Sequence, residues 1–317
     1  MTILRGDARA LPLADGTVDL VVTSPPFYGL RSYSDGGGHY AGQIGDEDTP
    51  AEFVNALIAA TREMARVLKP TGSIWVNLGD KYSPNKSLMG VPWRYALRCI
   101  DDLGLILRAE IVWSKPNGMP ESVTDRVRRS HETWFHFTKA PRYYSAIDEL
   151  REPHVRARTK LREPGTAPAP WVRGAKLGDV TSERHDTGNP LGSLPGSVWS
   201  IPTQPLVVPE HLGVDHYAAF PMEWPRRLIT GWCPPGGVVL DPFGGTGTTT
   251  LVADVLGRHG VHIDMSADYN RIAAWRTSDP RERAKAARTT YTPPPPQTVG
   301  QAAFQFHEGD ESKWGDK

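Results

Sequence analysis

Short apolar runs alternate with helical patterns along most of the chain. Strands are predicted at Ile3–Leu4 and Val18–Thr23, where apolar and β-branched residues are bounded by turn-forming ones. Residues 51–68 carry apolar positions near helical spacing, and this helix is predicted to end at Lys69-Pro70-Thr71-Gly72. Further strands are predicted at Ser73–Leu78, Leu105–Trp113, Glu132–Thr138, Gly237–Leu240 and Val261–Ile263, and further helices at 92–102, 222–231, 248–256 and 268–277.

This alternation of strands and helices predicts an α/β fold with a doubly wound sheet. Ligands bind such sheets at the carboxyl ends of the strands. Periodicity fades between residues 151 and 196, where turn-forming residues dominate, and the stretch after residue 278 is polar and contains Pro293–Pro296. We therefore expect one domain with a short insert, followed by a tail that is mobile or loosely docked.

The charge of the chain is balanced overall and uneven locally. The 317 residues include 36 basic and 36 acidic side chains, so the protein lacks the basic excess of a protein that coats nucleic acid. Residues 151–185, however, contain eight Arg or Lys side chains and four Asp or Glu side chains. This local excess fits a face turned toward a polyanion, and it fits a solvated loop equally well.

The cysteines and the N-terminal residues give no sign of a metal site, a disulfide framework or a targeting signal. Cys99 and Cys233 are the only cysteines, and no group of His and Cys has zinc-site spacing, so two free thiols and no metal site are expected. The N-terminal residues carry charges throughout, and no run reaches the ~18 apolar residues of a membrane span. A cytosolic protein without a membrane partner is expected.

A glycine-rich turn separates the predicted strand Gly237–Leu240 from the helix at 248–256. Glycines let a ligand approach the backbone, and the helix N-terminus offers N–H groups to an anion. A P-loop needs a lysine after Gly247, and a dinucleotide fingerprint needs a small residue where Thr250 stands, so both fit poorly. The next strand ends in an acidic residue, where such folds place a carboxylate on ribose hydroxyls. The candidate ligand-binding residues here are Asp241, Pro242, Phe243, Gly244, Gly245, Thr246, Gly247, Thr248 and Asp264.

A second motif, Thr23-Ser24-Pro25-Pro26-Phe27-Tyr28, ends a predicted buried strand. Strand termination explains the two prolines but gives Ser24 and Phe27 no task. The exocyclic amine of cytosine or adenine is a poor nucleophile, because its lone pair is delocalised into the ring. Hydrogen-bond acceptors at its two hydrogens free that lone pair, and the Ser24 hydroxyl and Pro25 carbonyl are such acceptors. Phe27 can stack on a base flipped out of a duplex. The candidate catalytic residues are Ser24, Pro25, Pro26 and Phe27.

Together these two motifs resemble those of the beta-class DNA amino-methyltransferases of bacteria and phages. Enzymes of that class methylate N4 of cytosine or N6 of adenine with S-adenosylmethionine. Their catalytic half precedes their cofactor half, which is a circular permutation of the common methyltransferase order. The resemblance covers roughly residues 1–277 and is specific in combination. Other matching segments are Arg66–Ser73, Ile111–Pro120, His131-Glu132, Val198–Pro202 and His216–Pro221.

The resemblance implies a Rossmann-like class I methyltransferase sheet, circularly permuted, with a small inserted target-recognition region. It also implies that Asp7 lies beside the adenine of S-adenosylmethionine, and that Phe220 and Pro221 help to form the cofactor pocket. The implied divisions are a catalytic half at 1–150, a target-recognition insert at 151–196, a cofactor-binding half at 197–277 and a polar tail at 278–317.

Several alternatives stay open. A serine at position 24 is typical of N4-cytosine enzymes, and an Asp or Asn there is typical of N6-adenine enzymes, so cytosine is favoured and adenine is the alternative. C5 methylation needs a thiolate, and neither cysteine lies beside the catalytic motif in sequence. An enzyme acting on RNA or protein is a further alternative, although protein-glutamine methyltransferases usually carry Asn-Pro-Pro-Tyr. A non-catalytic DNA-binding relative is disfavoured by the intact Ser24, Asp241 and Asp264.

Double-stranded DNA is the expected partner of a bacterial or phage-encoded cytoplasmic enzyme of this kind. A homodimer and a cognate restriction endonuclease are compatible with the resemblance. The loop at 115–130 and the segment at 151–196 offer basic side chains to phosphates, although a solvated basic loop would look the same. The candidate DNA-binding residues are Arg31, Lys115, Arg126, Arg128, Arg129 and Arg156.

Overall fold

The computed structural model describes residues 1–30, 34–35, 38–39, 42–154, 189–214 and 219–292. These residues form an eight-stranded sheet, a two-stranded hairpin and six α-helices. The strands are β1 (Thr2–Arg5), β2 (Val18–Thr23), β3 (Ser34–Asp35), β4 (Gly38–His39), β5 (Leu68–Leu78), β6 (Ile106–Ser114), β7 (His131–Thr138), β8 (Val198–Ser200), β9 (Val238–Asp241) and β10 (His259–Asp264). The helices are α1 (Pro50–Val67), α2 (Val91–Asp101), α3 (Glu223–Trp232), α4 (Thr248–Val255), α5 (Ala267–Ser278) and α6 (Pro280–Ala287).

The large sheet has the strand order β1-β10-β9-β2-β5-β7-β6-β8. Its first five strands run parallel, β7 runs antiparallel between β5 and β6, and β8 runs parallel to β6. The carboxyl ends of the parallel strands and of β6 and β8 therefore meet the amino end of β7 along one side, here called the carboxyl edge. At the centre β2 pairs with β9, although these strands are far apart in sequence.

Apolar side chains cover both faces of this sheet. One core cluster contains the buried sides of α1 and α2, and the other contains those of α3 and α4. Helix α1 begins at a capping box, in which the Thr49 hydroxyl accepts from the Glu52 backbone N–H and the Glu52 side chain accepts from that of Thr49. Large aromatic side chains fill the second cluster, where the rings of Trp134 and Trp224 stack 4.8 Å apart.

Most predicted elements are present, with small differences at their ends. Strand β2 has the predicted bounds, and α1 is displaced by one residue. Strand β5 begins at Leu68 because this residue already pairs with Val18, before an irregularity in the register. Strand β8 was not predicted as a strand, since three residues with a single buried side chain give no measurable alternation.

Helix α6 (Pro280–Ala287) is the main correction. The sequence predicted a mobile or loosely docked tail here, but Asp279 caps a helix by accepting two backbone N–H groups of its first turn. Arg283 lies 2.7 Å from Asp254 of α4, which docks the helix on the body. Only Ala286 of this helix is buried, so the sequence carries no amphipathic signal for it.

Two further predictions concern the insert and the absence of membrane-spanning helices. The predicted insert at 151–196 lies mostly outside the described part of the chain, because residues 155–188 are not described. The placement of the insert on the fold therefore stays a prediction. Among the residues that are described, no helix is long and apolar enough to cross a membrane.

Candidate active site

The two sequence motifs meet at the centre of the carboxyl edge. Strands β2 and β9 are neighbours, so their last residues, Thr23 and Asp241, lie side by side. The Thr23 hydroxyl donates to Asp241 Oδ1 at 2.6 Å, and the Thr249 hydroxyl donates to Oδ2 at 2.8 Å. The backbone N–H of Phe243 also donates to Oδ1, at 3.2 Å. One buried carboxylate thus joins the catalytic motif to the glycine turn.

This position changes the role expected for Asp241. The sequence predicted a contact with the cofactor, but the side chain is 2% exposed and its oxygens face protein donors. Burial raises the pKa of Asp241 to about 6, and the hydrogen bonds from Thr23 and Thr249 offset only part of that shift. Asp241 is therefore placed as a link between the two motifs.

The raised pKa predicts a pH-dependent effect on stability. Asp241 ionises at about 6 in the folded chain and near its ordinary value of 3.8 when unfolded. Its contribution to the free energy of unfolding is therefore full below about pH 4 and falls as the pH rises to about 6, by at most about 1.4 kcal/mol per unit. Denaturation of wild type and Asp241→Asn at about pH 4.5 and about pH 6.5 should show this loss as a fall in the stability of wild type relative to the variant, since all other titrating groups are common to both proteins. A difference between the two proteins that stays constant with pH would contradict the raised pKa.

The glycine turn is packed underneath and open above. Gly245 and Gly247 have φ values of 49° and 74°, a region that side chains disfavour. A Cβ added to Gly244 would lie 2.1 Å from Nδ1 of the buried His262, so the backbone rests directly on this ring. A Cβ added to Gly245 would meet only the Phe243 carbonyl oxygen, at 3.9 Å. The open side of the turn leaves room for a ligand.

Two carboxylates flank the turn at the ends of neighbouring strands. Asp264 ends β10, and its carboxylate accepts from the backbone N–H groups of Gly245 and Ser266 at 2.8 and 2.9 Å. Asp7 follows β1, the strand that pairs with β10, and forms an ion pair with Arg9 at 2.8 Å. Burial raises the pKa of Asp7, but the hydrogen bonds and charge of Arg9 outweigh it and leave the pKa below its ordinary value. Ionised acceptors beside an open turn fit the hydroxyl and amino groups of an adenosyl amino acid.

The remaining residues predicted for the cofactor pocket lie at the rim or in the core. Phe220 is half-buried, and its ring meets the Trp134 ring edge to face at 5.7 Å. Pro221 is buried just before α3, Pro242 is buried in the turn, and Phe243 packs on the first core cluster. A contact of Phe220 with a cofactor remains a prediction.

Ser24 is oriented as a hydrogen-bond acceptor by Asn77, a residue that the motifs of the sequence do not include. Its hydroxyl donates to Asn77 Oδ1 at 3.1 Å, and Asn77 Nδ2 donates to the Thr133 carbonyl at 3.3 Å. Because the only hydroxyl hydrogen of Ser24 points to Asn77, the Oγ lone pairs remain available to a second donor. Asn77 is 1% exposed in the run Ile74–Leu78, and an amide in such a run is the signal that could have found it.

Phe27, the first aromatic residue of the catalytic motif, packs against the glycine that follows β5. A Cβ added to Gly79 would lie 2.5 Å from the Phe27 ring, so this glycine is what lets the ring pack there. The next residue, Tyr28, donates its hydroxyl to the Asp48 carbonyl at 2.9 Å and borders a cavity of about 550 Å³. The other residues lining this cavity are Gly29, Gly45, Asp46, Glu47, Asp48, Lys81, Tyr82, Ser83, Pro84 and Met89.

Two of the basic residues predicted to bind DNA already have ionic partners. The Lys115 ammonium forms an ion pair with Glu132 and lies 4.2 Å from the centre of the Trp113 ring. The Arg126 guanidinium lies 2.7 Å from Glu121 and stacks over the Tyr82 ring, beside the cavity. A phosphate contact by either residue would compete with these pairs, which the sequence could not show.

The other predicted DNA-binding residues divide into two groups. Arg128 is exposed at the carboxyl edge, and its Nη1 donates to the Gly118 carbonyl at 3.2 Å. Arg129 is half-buried, and its backbone N–H donates to Glu121 at 3.5 Å. Arg31 and Arg156 lie outside the described residues.

Neither thiol is suited to attack a pyrimidine ring. Cys99 is buried on α2 and Cys233 is buried at the end of α3, and burial raises the pKa of each to about 12. Both thiols are therefore protonated at neutral pH, whereas attack requires a thiolate.

In the part of the chain that the structure describes, no three His, Cys, Asp or Glu side chains are grouped to hold a metal ion.

Comparison with known proteins identifies the family. The family model for DNA methylases of the N6/N4 type matches residues 18–274. The chain belongs to this family. This DNA methylase is 35% identical over 307 residues to the type II methyltransferase M.XycI of Xanthomonas campestris pv. cyanopsidis, and the match covers 87% of each chain.

Solved structures confirm the predicted fold. The cytosine-N4-specific PvuII DNA methyltransferase matches this DNA methylase with a TM-score of 0.65 and 22% identity over 90% of both chains. TTHA0409 from Thermus thermophilus, solved with S-adenosyl-L-methionine, matches with a TM-score of 0.54 and 23% identity over 90% of this chain and 95% of its own. The permuted class I methyltransferase sheet is thus confirmed, and S-adenosylmethionine is the methyl donor of the family.

Proposed function

We propose that this DNA methylase transfers a methyl group from S-adenosylmethionine to the exocyclic N4 of a cytosine flipped out of double-stranded DNA. The observation that carries the proposal is the hydrogen bond from Ser24 to Asn77, because it turns the Ser24 hydroxyl into an acceptor beside an open edge. Because residue 77 is an asparagine and not an aspartate, the hydrogen-bonded pair of Ser24 and Asn77 carries no charge.

The residues of the catalytic motif prepare the amine for attack. Ser24 Oγ and the Pro25 carbonyl accept the two amino hydrogens, which draws the nitrogen lone pair out of the ring. The proline rings fix the backbone that holds these acceptors, and Phe27 stacks on the base. S-adenosylmethionine, when bound, supplies a methyl group on an electrophilic sulfonium. As the nitrogen–carbon bond forms and the sulfur–carbon bond breaks, the amine gains positive charge and then releases one proton to water.

The choice of cytosine over adenine rests on position 24. A serine there is typical of N4-cytosine enzymes, and the PvuII enzyme with the same fold is described as cytosine-N4-specific. Both amines present similar geometry to two acceptors, so adenine N6 is the competing methyl acceptor.

M.XycI is described as a type II methyltransferase, which supports a cognate restriction endonuclease as a functional partner.

Contacts with the DNA backbone are proposed at the carboxyl edge. Arg128 is exposed in the loop between β6 and β7, and both of these strand ends lie at that edge. Its guanidinium has further donors besides the one that meets the Gly118 carbonyl, and these can reach a phosphate. Recognition of the target sequence is proposed for the insert at 151–196.

Product analysis tests the proposed function. The protein is incubated with DNA and isotope-labelled S-adenosylmethionine, the DNA is digested to nucleosides, and the products are identified by mass spectrometry. We expect N4-methylcytosine, and we expect the Ser24→Ala variant to incorporate label about 100-fold or more slowly. N6-methyladenine as the sole product would overturn the cytosine assignment. Unlabelled DNA, from a protein shown by calorimetry to bind the cofactor, would overturn the transfer reaction.

A further inference from the structure

A buried arginine lies directly under the glycine turn. Arg276 of α5 is 3% exposed, and its Nη1 donates to the hydroxyls of Thr246 and Thr248 at 2.9 and 2.7 Å. These two threonines flank Gly247 and are themselves 3% exposed. The guanidinium therefore holds the turn on both sides of Gly247.

The same helix also touches the turn backbone. A Cβ added to Gly247 would lie 2.9 Å from Cβ of Ala273, one helical turn before Arg276. A side chain at position 247 would push α5 away and stretch the arginine bonds, and the φ of 74° at Gly247 disfavours one as well. The turn and α5 are therefore packed as one unit.

Glu282 of α6 compensates the buried charge of Arg276. Arg276 Nε donates to Glu282 Oε2 at 2.9 Å, and both side chains are nearly excluded from solvent. An unpaired guanidinium at this depth would be strongly destabilising. Glu282 also fixes the direction of the planar guanidinium, so that another nitrogen faces the threonine hydroxyls.

Helix α6 is in turn held by its neighbours. Arg283 pairs with Asp254 of α4 at 2.7 Å, and Arg226 of α3 donates to the Ala286 carbonyl. Glu282 is thus presented by a helix that is anchored on two others. The segment that supplies it lies beyond residue 274, where the match to the family model ends.

We propose that Arg276 is a positioning residue for the cofactor-binding turn, and that Glu282 makes α6 part of the cofactor site. The proposal rests on the proposed role of the glycine turn in binding S-adenosylmethionine. Arg276 is 3% exposed and its guanidinium donates to Thr246, Thr248 and Glu282, so it acts on the turn through the two threonines. It sets the shape of the turn before the cofactor arrives.

Calorimetry with S-adenosylmethionine alone tests this proposal. In Arg276→Met the affinity should fall about tenfold or more, because two charge-assisted hydrogen bonds to the turn are lost. Arg276→Lys should recover part of the affinity, since an ammonium can reach a hydroxyl but cannot bridge two hydroxyls and Glu282. In steady-state kinetics the lost affinity should appear as a higher KM for the cofactor. The kcat and the KM for DNA should stay within about threefold of wild type.

A matched control separates positioning from general stability. Arg281→Met changes an exposed arginine on α6 and should leave the cofactor affinity within about twofold of wild type. If Arg276→Met does not fold, Glu282→Gln and Arg276→Lys carry the test, because both keep the buried volume. Wild-type affinity in the folded variants overturns the proposal. Tight binding of the cofactor by wild type without methylation of DNA would instead overturn the proposed function. The comparison of cofactor affinities among the variants would still test the role of Arg276.

Discussion

Replacing Ser24 with alanine is expected to reduce methyl transfer by about 100-fold or more, which is typical of losing one catalytic hydrogen-bonding group. The Ser24 hydroxyl donates to Asn77 Oδ1 at 3.1 Å, and alanine removes the acceptor that this bond orients toward the amine. The glycine turn and Asp264 are unchanged by the substitution. The dissociation constant for S-adenosylmethionine should therefore stay within about threefold of wild type.

Single-turnover kinetics on DNA and calorimetry with the cofactor measure the two quantities separately. Ser145→Ala is a matched control, because Ser145 is exposed after β7, whose carboxyl end lies at the opposite side of the sheet. The control should transfer methyl groups at the wild-type rate. A Ser24→Ala enzyme with normal transfer would show that the catalytic assignment is wrong.

Gly244→Ala is expected to disrupt the proposed cofactor site through packing alone. The added Cβ would lie 2.1 Å from Nδ1 of His262, a ring that is fully buried and cannot withdraw. The turn must therefore lift away from β10, and the bond from the Gly244 N–H to the Ile263 carbonyl at 3.0 Å must lengthen. We expect a loss of about 1–3 kcal/mol in the free energy of unfolding. Cofactor affinity should fall at least about tenfold, since about 1.4 kcal/mol of strain suffices.

Gly196→Ala is the matched control for this substitution. Neither glycine has a positive φ, and a Cβ added to Gly196 meets no atom within 4 Å. Urea denaturation and calorimetry should therefore give wild-type values for Gly196→Ala and large losses for Gly244→Ala. Equal behaviour of the two variants would mean that the turn is not supported by His262 in the way described.

The sequence was sufficient for the features that depend on local pattern. Thr23 and Asp241 each follow or end an apolar run, and parallel strands place such ends at one edge, so their common edge followed from the pattern, whereas their contact depends on the pairing of β2 with β9. Asn77 could not be assigned in this way. Its role depends on the neighbouring strand β7, where Asn77 faces Trp134, and on the direction of the Ser24 hydroxyl.

Long-range charge pairing was also beyond the sequence. Arg276 of α5 and Glu282 of α6 each look like an ordinary surface residue of a polar helix, and only the docking of α6 brings the partly buried Glu282 to the buried Arg276. The same holds for Lys115, whose basic side chain predicts a phosphate contact but forms an ion pair with Glu132 in the folded chain. Ionic partners that lie on separate elements leave no periodic trace in a sequence.

The pairing of β2 with β9 has a consequence for how such enzymes diversify. The last residues of these strands, Thr23 and Asp241, begin the proposed catalytic motif and the proposed cofactor-binding turn, and adjacent strands lie about 4.8 Å apart in any sheet. The relative placement of the two motifs is therefore set by backbone hydrogen bonds between strands rather than by loops. Segments inserted at other strands can change which sequence is read without disturbing that distance, so target choice and reaction geometry can evolve independently.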